Sequence, residues 1–325
     1  PKEELVKQLV LTGPEIVAIG EEAELLVGGK NYNTAIISQV PHIRTPQFRA
    51  ISSLAFHKLL DETRVNASVV RSLVDKEYNT TDWSNEEINK DPEYLRKFVR
   101  HVADKIKTES GKQKGTPIKL RTFVNNVVEG FATSPEGIDQ LRKRSVLVQA
   151  AILSVDMPKE VADAVRRAYQ AICKEAAIEN EPVAVRSSAA GEDSRKKAFA
   201  GLQDTYLNIV GEDQVVEAYH WDCSSAYNLR SMTYRREAIL DAVIKAEATG
   251  DDEVAEQAKK EWAIEQTSLS VCIMRMINPV ISGTAFSADT ATGCRGTDRN
   301  DLVSIDASYG LGEAVVGGMV TPDKF

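Results

Sequence analysis

The sequence predicts a mixed helix-and-sheet protein, α+β or α/β, and two observations carry that prediction. The stretches at 157–177 and about 213–264 read as helices, the first with apolar residues three or four apart and the second rich in Ala, Glu, Arg and Lys. From residue 268 the period changes to short apolar runs punctuated by Pro279, Gly283, Gly293 and Gly296, which are strand and turn signals. No internal repeat and no low-complexity tract interrupts this order.

Taken along the chain, "VAIGEEAELLVGGKNYNTAIISQV" (17–40) reads as a strand, a polar turn and a helix opened by Gly28-Gly29. The apolar positions of that helix include Ala35, Ile36, Ile37 and Val40. "TPQFRAISSLAFHKLLDE" (45–62) reads as a short strand followed by a helix capped by Ser52 or Ser53. Residues from about 84 to 130 are helical and polar, broken by the basic loop "TESGKQKGTP". The basic tract from Lys112 to Lys119 is read as a solvated loop, with a docking surface for an acidic partner as the alternative. Ser134 before Pro135 starts one helix. Asp156, with Pro158 just inside, starts another whose buried face is Val161, Val165, Ala168 and Ile172. Val183-Ala184-Val185 is a short strand, Gly250 to Asp252 a turn, and the segments at 268–277, 282–289 and 301–310 are strands.

The chain has 325 residues, 42% hydrophobic and 27% charged, which suits a soluble globular protein with a sizeable core. No run approaches 18 uncharged apolar residues, so no membrane span is expected, and the first residues lack the apolar stretch of a secretory signal. A net charge of -8 gives no general attraction for nucleic acid or a membrane surface. Any anionic ligand must be drawn by a local cluster. The four cysteines are scattered without metal spacing, which points to a reduced cytoplasm, and the four histidines are equally dispersed.

Three places carry possible chemistry. The first is Gly28-Gly29-Lys30-Asn31: glycines before a helix let backbone N–H groups approach a phosphate, and the lysine adds a charge. The bland alternative is a turn with a solvated lysine, and neither common phosphate-loop pattern matches. The second is Arg186-Ser187-Ser188 directly after the strand at 183–185, where the guanidinium would hold an anion as a fork or instead pair with Glu192 or Asp193. Lys196 and Lys197 follow in a small-residue loop that would close over a nucleotide or stay solvated. The third is the carboxylate set Asp289, Asp306 and Glu313, each read as lying next to a strand end, where aspartates are also common turn residues. Mg²⁺ chemistry on ATP needs one or two such carboxylates.

Together these residues resemble the phosphoenolpyruvate synthase and pyruvate phosphate dikinase family. The stretch "AVRSSAAGEDSRKKAFAGLQDTYLN" (184–208) is similar to that family's signature, and "GGKN" is similar to its N-terminal nucleotide loop. "TPQFRAISSLAFHKLL", "CSSAYNLRSMTYR", "SGTAFSADTATG" and "SIDASYGLGEAVVGGMVTPDKF" resemble further family blocks, in family order over residues 17–325. The resemblance implies an α+β ATP-grasp fold of two lobes, about 1–210 and 211–325, with the nucleotide between them. It implies ATP and Mg²⁺ as cofactors and phosphorylation of a histidine as the reaction.

By position, Lys30 corresponds to the family's phosphate-contacting lysine and Arg186 to its transition-state arginine, so these two are the implied catalytic residues. Gly28, Gly29, Ser187, Gln203, Met276 and Glu313 complete the implied nucleotide set, Glu313 with Asp306 is the implied metal pair, and residues 198–203 form the flap. Leu202, Met274, Gly317 and Met319 stand where the family carries polar side chains.

No histidine of this chain lies in the family's phosphohistidine context, so the expected partner is a separate subunit carrying that histidine and binding the final small-molecule acceptor. This arrangement is similar to phenylphosphate synthase of anaerobic phenol degradation, which makes phenol the favoured acceptor. The alternatives are the ATP-binding part of a phosphoenolpyruvate synthase or rifamycin phosphotransferase, and a non-catalytic nucleotide sensor.

Overall fold

A computed structural model describes residues 2–83, 92–112, 115–129, 137–189, 204–250, 252–261, 267–288 and 303–325. The chain forms two compact units, Pro1–Arg275 and Met276–Phe325. The lobe boundary expected near 210 falls inside the first of them. The mixed helices and antiparallel sheets make the class α+β.

The first unit is built around one five-stranded sheet: β1 (Val10–Leu11), β2 (Phe48–Ile51), β5 (Val183–Ala189), β6 (Thr205–Ile209) and β7 (Leu269–Arg275). Its order is β1-β2-β7-β5-β6, and every neighbouring pair is antiparallel. Side chains alternate across the sheet, so each face has its own core. Ile51, Val183, Val185, Val271 and Ile273 join the larger one. There they pack with helices α4 (Ser53–Glu62), α8 (Ile138–Ser154), α9 (Lys159–Ala176) and α10 (Glu212–Ser225). Phe48, Ala50 and Cys272 point the other way, onto α2 (Gly13–Ile19) and α3 (Ala23–Ile37). The remaining helices are α1 (Lys2–Leu5), α5 (Ala67–Asn79), α6 (Pro92–Ser110), α7 (Leu120–Val128), α11 (Leu229–Thr249) and α12 (Asp252–Glu261). A two-stranded ribbon, β3 (Arg64–Val65) with β4 (Ile118–Lys119), is also part of this unit.

The expected strand at Val17-Ala18-Ile19 is instead the end of helix α2. A capping box overrides the β-branched residues: Thr12 N–H donates to Glu15 Oε2 at 2.8 Å, and Glu15 N–H donates back to Thr12 Oγ1 at 3.4 Å. The helix then buries Ile16 and Ile19. In α3 only Ala35 of the four expected positions is buried, while Ile36, Ile37 and Val40 are more than two-fifths exposed. The buried row is Val27, Asn31 and Ala35, four apart, with a polar residue at its centre.

Two caps also differ from expectation. Ser52 precedes α4 but makes no cap bond, its hydroxyl donating to Gln8 O at 2.7 Å. Asp156 accepts from Lys107 Nζ at 2.5 Å instead of capping α9, which starts after Pro158. Ser134 lies outside the described residues. The predicted buried face of α9 holds, with Val161, Val165, Ala168 and Ile172 at most 1% exposed. The turn at 250 also holds, Gly250 ending α11 at φ 68.

The second unit is an antiparallel sheet of β8 (Ile281–Phe286), β9 (Ser304–Tyr309) and β10 (Asp323–Lys324), ordered β10-β9-β8, with the short helix α13 (Glu313–Val316). Among the described residues no helix is long and apolar enough to cross a membrane.

Candidate functional site

The first candidate residues meet where α3 abuts β5. Gly28 interrupts α3 with φ 73 and ψ 163, so a new helical segment opens at Gly29. A Cβ on Gly28 would lie 2.2 Å from Ser188 O and 2.4 Å from Ser188 Oγ, so only glycine allows the helix start to touch the strand. Asn31 N–H donates to Ser188 Oγ at 3.2 Å, so a serine from β5 takes the place of an N-cap. Lys30 Nζ reaches Ser187 O at 3.4 Å, which ties the lysine to the strand that carries Arg186.

Arg186 is exposed on β5. Its register partner on β7 is Cys272, which belongs to the smaller core, so the guanidinium stands on the same sheet face as α3. Among the described residues Arg186 has no ion-pair partner; Glu192 and Asp193 lie outside them, as do Lys196, Lys197, Leu202, Gln203 and Asp289. Burial pushes the Cys272 thiol up to about 12, against the pull of Arg186. Ser187 faces the opposite way: its hydroxyl is buried and donates to Asp204 O at 3.5 Å, so only its carbonyl faces Lys30.

Sequence reasoning missed Asp204, which anchors the start of β6 opposite Arg186. Its carboxylate accepts from Arg96 Nη2 at 3.1 Å, Arg230 Nη2 at 3.4 Å and Tyr206 OH at 3.2 Å. Arg96 also lies over the Tyr206 ring at 5.2 Å, and burial together with Asp204 raises the Tyr206 hydroxyl. A groove of about 780 Å³ along α6 and α10 is lined by Arg96, Arg100 and Trp221. Its arginines are engaged by Asp204 and Glu217, so it is not an anion seat.

The second unit carries Met276, Asp306 and Glu313. Met276 directly follows β7 and is half-buried. Asp306 lies inside β9, facing Thr284 and Lys324 in register, and not at a strand end as expected. Gly283 allows β8 to approach there, since a Cβ would lie 2.3 Å from Asp306 O. Glu313 is exposed in the first turn of α13. Asp306 Oδ1 is buried and has no hydrogen-bond partner among the described residues, which fits an oxygen reserved for a cation or its water. Among the described residues no group of three or more His, Cys, Asp or Glu is placed to hold a metal. Mg²⁺ held by one or two carboxylates plus phosphate needs none.

Two of the four histidines, His57 and His220, are engaged inside the fold. His57 Nδ1 accepts from Arg121 Nη2 at 3.0 Å, so its Nε2–H faces Ser268 Oγ at 3.4 Å. Arg121 in turn makes a two-pronged pair with Asp61. His220 donates to Ile152 O at 2.8 Å, and burial lowers it to about 4. His101 pairs with Glu77 at 3.4 Å, and His42 sits in a turn at φ 72.

Residues 24–325 match the family described as pyruvate phosphate dikinase, AMP/ATP-binding domain. The phosphoenolpyruvate synthase of Pyrococcus furiosus is 27% identical over 300 residues, which is 92% of this chain and 30% of that protein. A probable phosphoenolpyruvate synthase of Pyrococcus abyssi is 32% identical over 209 residues, 64% of this chain and 22% of that one. The rifampicin phosphotransferase of Bacillus subtilis is 35% identical over 190 residues, 58% of this chain and 18% of that one. The chain thus spans less than a third of the length of these relatives. The match over nearly the whole chain, on the blocks that hold Lys30 and Arg186, means that this chain belongs to the pyruvate phosphate dikinase AMP/ATP-binding domain family, whose fold is ATP-grasp-like.

Proposed function

We propose that the chain is the ATP-binding part of a phosphotransferase of the dikinase type, holding ATP between two lobes in a cytoplasmic multi-subunit complex. ATP, a histidine and one water give phosphohistidine, AMP and phosphate; the β-phosphoryl group stays on the histidine of a partner subunit. The observation that carries this reading is Arg186, exposed on β5 without an ion-pair partner among the described residues, on the sheet face that α3 presents with Lys30.

Phosphoryl transfer is mainly positioning and charge neutralisation. Lys30 places an ammonium at the start of a helix whose partial positive charge adds to it. Arg186 offers a fork of donors for the oxygens that gain charge in the transition state. Gly28 lets the start of this helical segment abut β5, which brings Lys30 beside the strand that carries Arg186. Gln203 and Met276 complete the nucleotide set of this proposal, and Ser187 contributes through its carbonyl, which holds Lys30. Asp306 and Glu313 are the carboxylates that would hold Mg²⁺, supported by the buried Asp306 Oδ1, which has no hydrogen-bond partner among the described residues. When bound there, Mg²⁺ would withdraw charge from the phosphates.

The acceptor histidine is assigned to a partner subunit because no histidine of this chain lies in the family's phosphohistidine context. We keep phenol as the favoured final acceptor. The names of the relatives point instead to rifampicin or to the formation of phosphoenolpyruvate.

The test uses complexes isolated from the native host through a tag on this chain, incubated with Mg²⁺ and ATP labelled at the β-phosphate. Acid-labile, base-stable label on a second chain, with AMP released, supports the proposal. Chasing that label with phenol, pyruvate and rifampicin then identifies the acceptor. Bound ATP with neither label nor AMP overturns transfer and leaves a nucleotide sensor.

A further inference from the structure

Asn31 reaches three elements at once. In a regular helix its N–H would donate to Val27 O, four residues back. The break at Gly28 diverts that N–H to Ser188 Oγ on β5, at 3.2 Å. The side-chain amide makes good the loss: Nδ2 donates to Val27 O at 2.9 Å and to Ser270 Oγ on β7 at 3.1 Å. An amide nitrogen carries two hydrogens, and both are used.

The whole cluster is dry, with Asn31, Ser188 and Ser270 at 1%, 0% and 2% exposed. Ser188 and Ser270 are also register partners across the β5–β7 ladder. A buried amide persists only where its bonds are satisfied, and here it occupies a position that the row Val27, Asn31, Ala35 would otherwise fill with an apolar side chain. Leucine would leave Val27 O and Ser270 Oγ unpaired. Aspartate would offer acceptors where donors are needed.

The chain neighbours of this cluster are the two cations of the site. Lys30 precedes Asn31, and Arg186 lies two residues before Ser188 on the same face of β5. We propose that Asn31 is a positioning residue, a clamp that fixes the start of the second α3 segment against β5 and β7 and so sets the spacing between Lys30 and Arg186. This rests on the reading of that junction as the seat of the ATP phosphates. The clamp touches no phosphate itself, so it governs the rate of transfer more than the hold on ATP.

The experiment compares the full-length protein in its native complex with Asn31→Ala, Asn31→Asp and Ser270→Ala, well below the unfolding temperature of each. Misplacement by about 1 Å costs on the order of a hundredfold in rate, so Asn31→Ala is expected to lower AMP formation at saturating ATP by about thirtyfold or more. The ATP concentration for half-saturation should change by less than about threefold, because the phosphate ligands remain. Asn31→Asp, isosteric but without donors, should resemble Asn31→Ala. Ser270→Ala removes one of the contacts and should lose roughly three- to tenfold in turnover, and it decides the matter if the Asn31 variants do not fold.

Unchanged turnover in the folded variants overturns the clamp and leaves the ATP site standing. Weaker half-saturation with unchanged turnover also overturns it, making Asn31 a binding residue. No AMP from the unaltered complex overturns the ATP reading itself and the clamp with it.

Discussion

Arg186 and Cys272 lie directly opposite one another in the β5–β7 ladder, one exposed to water and the other 4% exposed. The buried partner holds the strand in the smaller core while the guanidinium projects from it. Replacing Arg186 by alanine therefore removes a charge at the surface and little of the packing. Arg186→Ala is expected to lower phosphoryl transfer roughly thirty- to a thousandfold, about 2–4 kcal/mol, with unfolding midpoints close to those of the parent. Initial rates of AMP release measure the first quantity and denaturant titration the second. Parent-like turnover would remove Arg186 from the mechanism.

Gly28 and Gly20 offer an internal comparison. Both have positive φ, 73 and 84, but a Cβ at Gly20 meets nothing within 4 Å whereas one at Gly28 runs into Ser188. Gly20→Ala should cost about 1–3 kcal/mol from its backbone alone, since φ 84 with ψ -156 favours glycine. Gly28→Ala carries a similar backbone cost and should cost clearly more in total and weaken ATP binding, because the helix must also back away from β5. Urea unfolding and nucleotide titration of the two variants separate the effects. Equal costs would mean that the close approach at Ser188 is unimportant.

Stability should fall in mild acid because of His220. Burial lowers its pKa to about 4, from an ordinary value of 6.5. The unfolded chain thus takes up a proton at a higher pH than the folded protein. The stability associated with neutral His220 is complete above about 6.5 and is lost as the pH drops towards 4. His57, lowered by burial and by Arg121, acts in the same direction. Asp61 and Glu77 are lowered by Arg121 and Lys105, so their contributions disappear only at more acid pH. Between pH 7 and 4.5 the parent should lose about 2 kcal/mol more than His220→Gln, which keeps a donor for Ile152 O. Parallel pH profiles of unfolding free energy would contradict this.

Asp204 is the common acceptor of Arg96 and Arg230. Both arginines are partly exposed, so the pairs are worth less than buried ones. Asp204→Asn should destabilise the protein by about 1–2 kcal/mol, and less so in high salt. Thermal melts of both proteins with and without added salt check it. A salt-independent loss would assign the cost to packing.

Metal removal should stop transfer and not folding. EDTA is expected to abolish AMP release and excess Mg²⁺ to restore it. Asp306→Asn should raise the Mg²⁺ concentration needed for half-maximal rate by about tenfold or more, as one ligand charge is lost. An unchanged Mg²⁺ requirement would assign the buried Oδ1 to another purpose.

Much of this was legible in the sequence where local pattern and burial agree. The face of α9 is one such case, and the helix opened by Gly28-Gly29 is another. Val17-Ala18-Ile19 misled because three apolar residues suit a strand as well as a helix end; Thr12 and Glu15, three apart, held the deciding signal. Ser52 and Asp156 have cap chemistry but spend it on Gln8 and Lys107, partners that only the tertiary fold supplies. Asn31 was visible in the motif, yet its purpose depends on serines 157 and 239 positions away. Asp204 gave no local signal, since its partners come from two distant helices.

The place of β7 between β2 and β5 has a consequence for biosynthesis. Ile51 and Val271 are neighbours in the sheet but far apart in the order of translation. At about 5–20 residues per second, roughly 10–45 s pass on the ribosome between completing β2 and beginning β7. Until then β2 and β5 each present an unpaired edge, the kind of edge that recruits other chains. A nascent chain or fragment ending near residue 210, which contains both strands but not the one that joins them, is expected to aggregate unless something shields those edges.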